Sequence, residues 1–158
     1  MPKMTTMSIM ISILSVVMTA SCGPPPECRE FVDLTSEQQE NGFKGFPIEK
    51  QLDVFLCGMK IEPPETKLAR YIADQGEDVV APTVDRLKAS KSLADQSDLI
   101  YLLVELSDRG YLKGRKDVVA DISNVIDTMK LDNIRNENLK RLGKIQINSG
   151  VPPFTYTR

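Results

Sequence analysis

The chain contains no histidine and no tryptophan, and aromatic residues fill only 6% of its 158 positions. Without histidine it lacks the side chain most used as the base of Ser or Cys nucleophile triads, and the commonest ligand of transition metals. Cysteine is scarce too: the three at positions 22, 28 and 57 form no Cys-x-x-Cys pair of the kind zinc and thioredoxin chemistry need. No Gly-rich loop ends in Lys-Ser or Lys-Thr, no dinucleotide fingerprint opens a helix after a strand, and no acidic residues alternate around a glycine as in an EF-hand. The expectation is therefore no metal, no cofactor and no catalytic residue. A large charge of either sign is also missing: 20 Lys plus Arg stand against 22 Asp plus Glu, net −2, which gives no general attraction to nucleic acid.

What is present begins at the N-terminus. Lys3 and the chain amino group precede about a dozen apolar residues, Met7 to Met18, and then small residues at Thr19, Ala20 and Ser21. That is the layout of a secretory signal. A helix needs roughly 20 apolar residues to cross a hydrocarbon core of about 30 Å, so a permanent span is the weaker reading.

Thr19-Ala20-Ser21-Cys22 resembles the lipobox of bacterial lipoproteins, with Thr19 where such boxes usually carry Leu. The resemblance implies a signal over 1–21, lipidation of Cys22, and a chain whose partner is the membrane. Gly23, standing where an Asp would imply retention at the inner membrane, implies the outer membrane facing the periplasm. Several acyl chains on one residue anchor firmly, whereas a single chain, at about 0.8 kcal/mol per buried methylene, is marginal. The alternative is ordinary cleavage nearby, with Cys22 a plain thiol. Loss of the leader takes Lys3 with it and moves the net charge from −2 to −3. With Cys22 assigned to lipid, Cys28 and Cys57 remain as a pair, and in an oxidising compartment a disulfide is expected between them. A loop of about 30 residues closed that way contributes roughly 3 to 4 kcal/mol in the chain-entropy model. The other reading makes Cys57 a small buried hydrophobe and Cys28 a loose thiol.

Gly23 to Pro26, GPPP, can neither continue a helix nor pair in a sheet, so residues 22–30 read as a lipidated Cys and a stiff tether. A helical domain over 31–147 follows. A brief helix is expected after Asp33, Thr35 and Ser36, which precede Glu37-Gln38-Gln39 and then Gly42 and Gly45. Ile48, Leu52, Phe55, Leu56 and Met59 recur at helical spacing behind Pro47, and Glu62-Pro63-Pro64 closes that helix. The next runs from Glu65 to Gln75 and stops at Gly76. Val79, Val80, Val84 and Leu87 mark another, with Pro82 in its first turn. Ser92 and Asp95 open a helix whose Leu99, Leu102, Leu103 and Leu106 predict a central position. Asp117 is expected to cap a helix striped by Val118, Ile122, Val125, Ile126 and Met129. A final helix is expected from Asn133 to Lys144, and an irregular tail over 148–158.

These spacings and short turns predict an all-α antiparallel stack of about five or six helices, with a closed bundle as the alternative. The segment Leu68 to Ser90, LARYIADQGEDVVAPTVDRLKAS, resembles one helix pair of the HEAT type: an apolar helix, a Gly turn, then paired Val and a Pro opening the second helix. Leu93 to Lys130 matches as a second pair in hydrophobic spacing alone. The whole layout resembles small uncharacterised lipoproteins of proteobacteria, a likeness that supplies no activity.

Two surface groups stand out. Lys113, Arg115 and Lys116, with Arg135, Lys140, Arg141 and Lys144, form a basic bias within an acidic protein, suited to anionic headgroups or an acidic partner. The plainer reading is a solvated helix face. Tyr71, Tyr101 and Tyr111 offer contact aromatics or the edge of a core. The function expected is that of a lipid-anchored, non-catalytic envelope protein that binds an envelope protein of unknown identity. The alternatives are an immunity or inhibitor lipoprotein, or an envelope enzyme working on glycan or lipid through a carboxylate pair such as Glu77/Asp78 or Glu105/Asp108. Carboxylates on helix faces are ordinarily solvated, and catalysis would need a pocket that perturbs them.

Overall fold

A computed structural model describes Cys28, Phe31 and residues 34–152. The signal stretch, Cys22, the GPPP tether and residues 153–158 lie outside the described residues. Among those described the fold is all-helical: α1 Ser36–Lys44, α2 Ile48–Gly58, α3 Lys67–Ala73, a 3₁₀ turn Glu77–Val79, α4 Val80–Ala89, α5 Leu93–Asp108, α6 Lys116–Asp127 and α7 Asp132–Ser149.

Local chemistry sets the starts. Thr35 caps α1 in a complete capping box: its Oγ1 accepts from the Gln38 amide at 3.3 Å, and Gln38 Oε1 accepts from the Thr35 amide at 3.0 Å. Ser92 caps α5 by accepting from the Asp95 amide at 3.2 Å. Asp117 does not cap α6 as expected. The helix begins one residue before it, at Lys116, with Arg115 in the cap position, and Asp117 sits in the first turn paired to Arg115 at 3.0 Å. There its charge still faces the positive end of the helix dipole. The final helix runs past Lys144 to Ser149, so residues 148 and 149 are helical rather than tail. Ile145, Gln146 and Ser149 are buried, and nothing breaks the helix until Gly150 takes a left-handed conformation (φ 68°) with the Val151 amide donating to the Gln146 carbonyl at 3.1 Å.

The helices stack in pairs. α2 packs on α3, α4 on α5 and α6 on α7; across the pairs, α2 packs on α4 and α4 on α6, while α3 packs on α5 and α5 on α7. Two layers of three helices result, the arrangement of a stack rather than a closed bundle. The pairing register differs from the one expected. Leu68 to Ser90 spans α3 and α4, which belong to successive pairs, and Leu93 to Lys130 likewise spans α5 and α6. The reason lies in the connections. A three-residue turn, 90–92, folds α4 back onto α5, and Gln96 Nε2 ties it by donating to the Ser90 carbonyl at 2.9 Å. After α3, the Gly76 turn and the 3₁₀ step carry the chain away before α4 begins.

α5 is central, packing on α2, α3, α4 and α7. Its Leu99, Ile100, Leu102, Leu103 and Leu106 are fully buried, each contributing about 2 kcal/mol by removal from water. At the N-terminal end Phe43 is buried against Phe31, with ring centroids 5.7 Å apart, and against Tyr71 at 6.3 Å. Gln51, buried in α2, exchanges amide hydrogen bonds with Gln75 beyond α3 and donates to the Phe46 carbonyl at 2.8 Å.

Candidate functional site

Cys28 and Cys57 lie at disulfide distance, Cα to Cα 6.0 Å, both buried. Cys57 belongs to the last turn of α2, whose apolar face carries Val54, Phe55 and Leu56 into the core. The pair lines a cleft of about 390 Å³. Its rim is charged: Lys50, Lys60 and Arg86 stand with Asp53 and Asp95. Arg86 pairs with Asp53, and Lys60 Nζ lies 2.8 Å from Asp95 Oδ1.

The seven basic residues singled out from sequence are not gathered into a free patch. Arg115 meets Asp117 at 3.0 Å and Glu77 at 3.6 Å. Arg135 meets Asp127 at 3.3 Å, Lys140 meets Glu137 at 3.7 Å, and Lys144 meets Asp108 at 2.6 Å. Arg141 turns inward, donating to the Ser97 carbonyl at 2.8 Å and to Ser97 Oγ at 3.0 Å, with its guanidinium 5.7 Å from the Tyr101 ring. It is a brace between α5 and α7, joined by buried Asn138, whose Oδ1 accepts from Ser97 Oγ at 3.3 Å. Lys113 and Lys116 are exposed. Glu137 beside Lys140 and Asp117 beside Arg115 are within reach of local spacing rules, whereas Glu77, Asp127 and Asp108 come from other elements and no spacing along one helix reveals them.

The carboxylate pairs are also separated in their bonding. Glu105 accepts from Arg109 at 2.9 Å, whereas Asp108 accepts from Lys144 and from Asn148 Nδ2 at 2.7 Å. The carboxyl most perturbed is one that sequence reading passed over. Burial first, and then the neighbouring Asp95 charge, push Asp98 up to about 6, with Arg141 and Lys60 pulling the other way. Asp98 does not line the cleft that Asp95 borders. Its strain belongs to the packing of α5. Burial and Glu105 raise the Tyr101 phenol, which donates to Glu105 Oε1 at 3.4 Å. Among the described residues no group of three or more Cys, Asp and Glu is placed to hold a metal ion, and no helix is long and apolar enough to cross a membrane.

No family model, curated protein or solved structure matches the chain.

Three further clefts continue from the one at the disulfide, one of which shares Arg86 with it and carries Glu49 and Asp85. A small cleft shares Arg86 and Asp95 with it and adds Lys91. A wider one, about 610 Å³, shares Ser90 and Lys91 with the small cleft and reaches Lys88, Asp121 and Lys130. Sequence reading missed this surface because its cations are scattered from position 50 to 130, and no spacing rule joins residues of four different helices and turns.

Proposed function

We propose that the chain is a lipid-anchored, non-catalytic protein of the cell envelope and works as a protein-interaction module. The observation that carries this reading is the pairing of Cys28 with Cys57 at disulfide distance, only six residues after the lipobox-type Cys22. A bridge there suits an oxidising compartment. It would also tie the domain to the start of its tether rather than leave it on a long leash. The dispersal of Glu105 and Asp108 into separate ion pairs supports a non-catalytic role.

Intact mass of the protein recovered from cells tests the anchor. Acyl chains on Cys22, lost in Cys22→Ala, are expected; an unmodified Cys22 in the membrane fraction refutes it. Cross-linking in intact cells tests the module, with a specific envelope protein expected for the anchored form and lost with Cys22→Ala. An anchored chain that cross-links to nothing refutes the interaction role.

A further inference from the structure

Three of the connected clefts form one band across the molecule, from the disulfide over the α4–α5 turn to Lys130 after α6. Its cations are Lys50, Lys60, Arg86, Lys88, Lys91 and Lys130; its carboxylates are Asp53, Asp95 and Asp121. Six positive charges against three negative ones leave +3 on these three clefts, and the adjoining cleft at Arg86, with Glu49 and Asp85, brings the surface to +1, in a chain whose total is −2. The rest of the chain therefore sums to the acidic excess. Asp53 is engaged by Arg86, Asp95 by Lys60 and Asp121 by Lys88 at 3.1 Å, with Asp85 a further 3.7 Å neighbour of Lys88 on the flank. Lys50, Lys91 and Lys130 are left without a carboxylate partner among the described residues. All five lysines are exposed.

The band begins where the chain would meet the membrane. Cys28 lines its first cleft and follows Cys22 by six residues. Six residues span at most about 20 Å when fully extended, and the bridge to Cys57 fixes that end to α2. A rigid body held on so short a leash brings the face next to its attachment point against the bilayer. An anionic surface attracts each nearby cation within a Debye length of about 8 Å and repels the acidic remainder.

We infer that the band of clefts from Cys28–Cys57 to Lys130 is a membrane-docking face that seats on anionic lipid headgroups of the bilayer to which the chain is anchored. It rests on the anchored reading above. It replaces the Lys113 to Lys144 set as the headgroup-facing surface, because those cations are mostly neutralised by their own acids.

Lysine footprinting tests it. The chain from Cys22 onward, which contains every described residue, is prepared unlipidated with Cys28–Cys57 oxidised and coupled through the Cys22 thiol to a maleimide lipid. It is placed in vesicles of phosphatidylcholine alone or with phosphatidylglycerol, at low salt, and acetylated. Modification of Lys50, Lys60, Lys91 and Lys130 is expected to slow about five-fold with phosphatidylglycerol, the factor one charge held at an anionic surface contributes. Lys113, Lys116 and Lys140 are expected to react at unchanged rates. In Lys50→Gln/Lys60→Gln/Lys91→Gln, whose positions are exposed, the slowing at Lys130 is expected to vanish. Equal slowing of both sets, slowing of the second set alone, or no slowing of the first overturns the inference; an acidic protein as the true ligand of the band gives the last result. Acyl mass on Cys22 of the cellular protein reads the anchor separately, since maleimide coupling holds the chain on the vesicle either way.

Discussion

Replacing Asp98 by Asn is expected to stabilise the protein at neutral pH and to do nothing in acid. Asp98 lies partly buried on α5, one turn after Asp95, with Lys60 and Arg141 as the opposing cations. Its carboxyl is pushed from 3.8 to about 6 in the folded chain. The folded state therefore holds this proton more tightly than the unfolded state, and stability falls as pH rises through the window from about 4 to 6. At about 1.4 kcal/mol per unit, that shift corresponds to at most about 3 kcal/mol; partial exposure and solvent screening reduce it to about 1–2 kcal/mol. Asn keeps the shape and removes the charge. In urea, with a slope of about 1.5 kcal/mol per molar, the midpoint of Asp98→Asn is expected to rise by roughly 1 M at pH 7.5 and to match the parent at pH 4. Far-UV circular dichroism is the suitable probe, because the fold is helical and the chain has no tryptophan. A lower midpoint for Asp98→Asn at pH 7.5 would show that Lys60 and Arg141 outweigh burial and Asp95, and would refute the reasoning.

Three further outcomes follow from packing. Reduction, or Cys28→Ser with Cys57→Ser, is expected to lower stability by about 3–4 kcal/mol through release of a 29-residue separation; coincident urea transitions before and after reduction would reject the bridge. Gly58→Ala places a Cβ 2.8 Å from Leu68 Cδ1 and 3.1 Å from Glu65 Cβ, and overpacking of the α2–α3 contact is expected to cost about 1–2 kcal/mol net of the helix propensity gained. An unchanged or raised thermal midpoint would contradict it. Asn138→Ala removes the acceptor of Ser97 and the donor to the Ile134 carbonyl at 3.0 Å. It is expected to cost about 2 kcal/mol, and Asn138→Ala/Ser97→Ala should cost less than the two single changes added, as a double-mutant cycle in urea would report.

Much of the local structure was legible because short-range rules govern it. The Ser92 cap and the apolar run of α5 are each written within four to fourteen consecutive residues and appear where the pattern places them, and of Asp33, Thr35 and Ser36, the candidates ahead of the first helix, Thr35 is the one that caps it. The misplacements occurred where two local signals compete. Asp117 is a good cap residue, yet the helix starts before it, because the Gly114 turn fixes the entry and Arg115 claims the carboxylate. Lys144 reads as a basic last turn, yet Ile145, Gln146 and Ser149 still find a buried face, so α7 continues to the first glycine able to turn left-handed. The HEAT-type register slipped by one helix because a Gly turn and a three-residue turn look alike in sequence, while only one folds adjacent helices face to face.

By itself the sequence determined the helices, their apolar faces and the identity of the central one, and offered Cys28 and Cys57 as a pair without excluding two separate thiols. These depend on periodicity, on capping within a turn and on counting. Only the tertiary structure decided which helices pair, which cations keep a free charge and where Asp98 is buried. Those properties belong to distances between residues far apart in the chain: Arg86 meets Asp53, Lys144 meets Asp108, and Lys50, Lys91 and Lys130 join one surface. Electrostatic energy depends on such separations and on burial, and neither is a property of position along the chain.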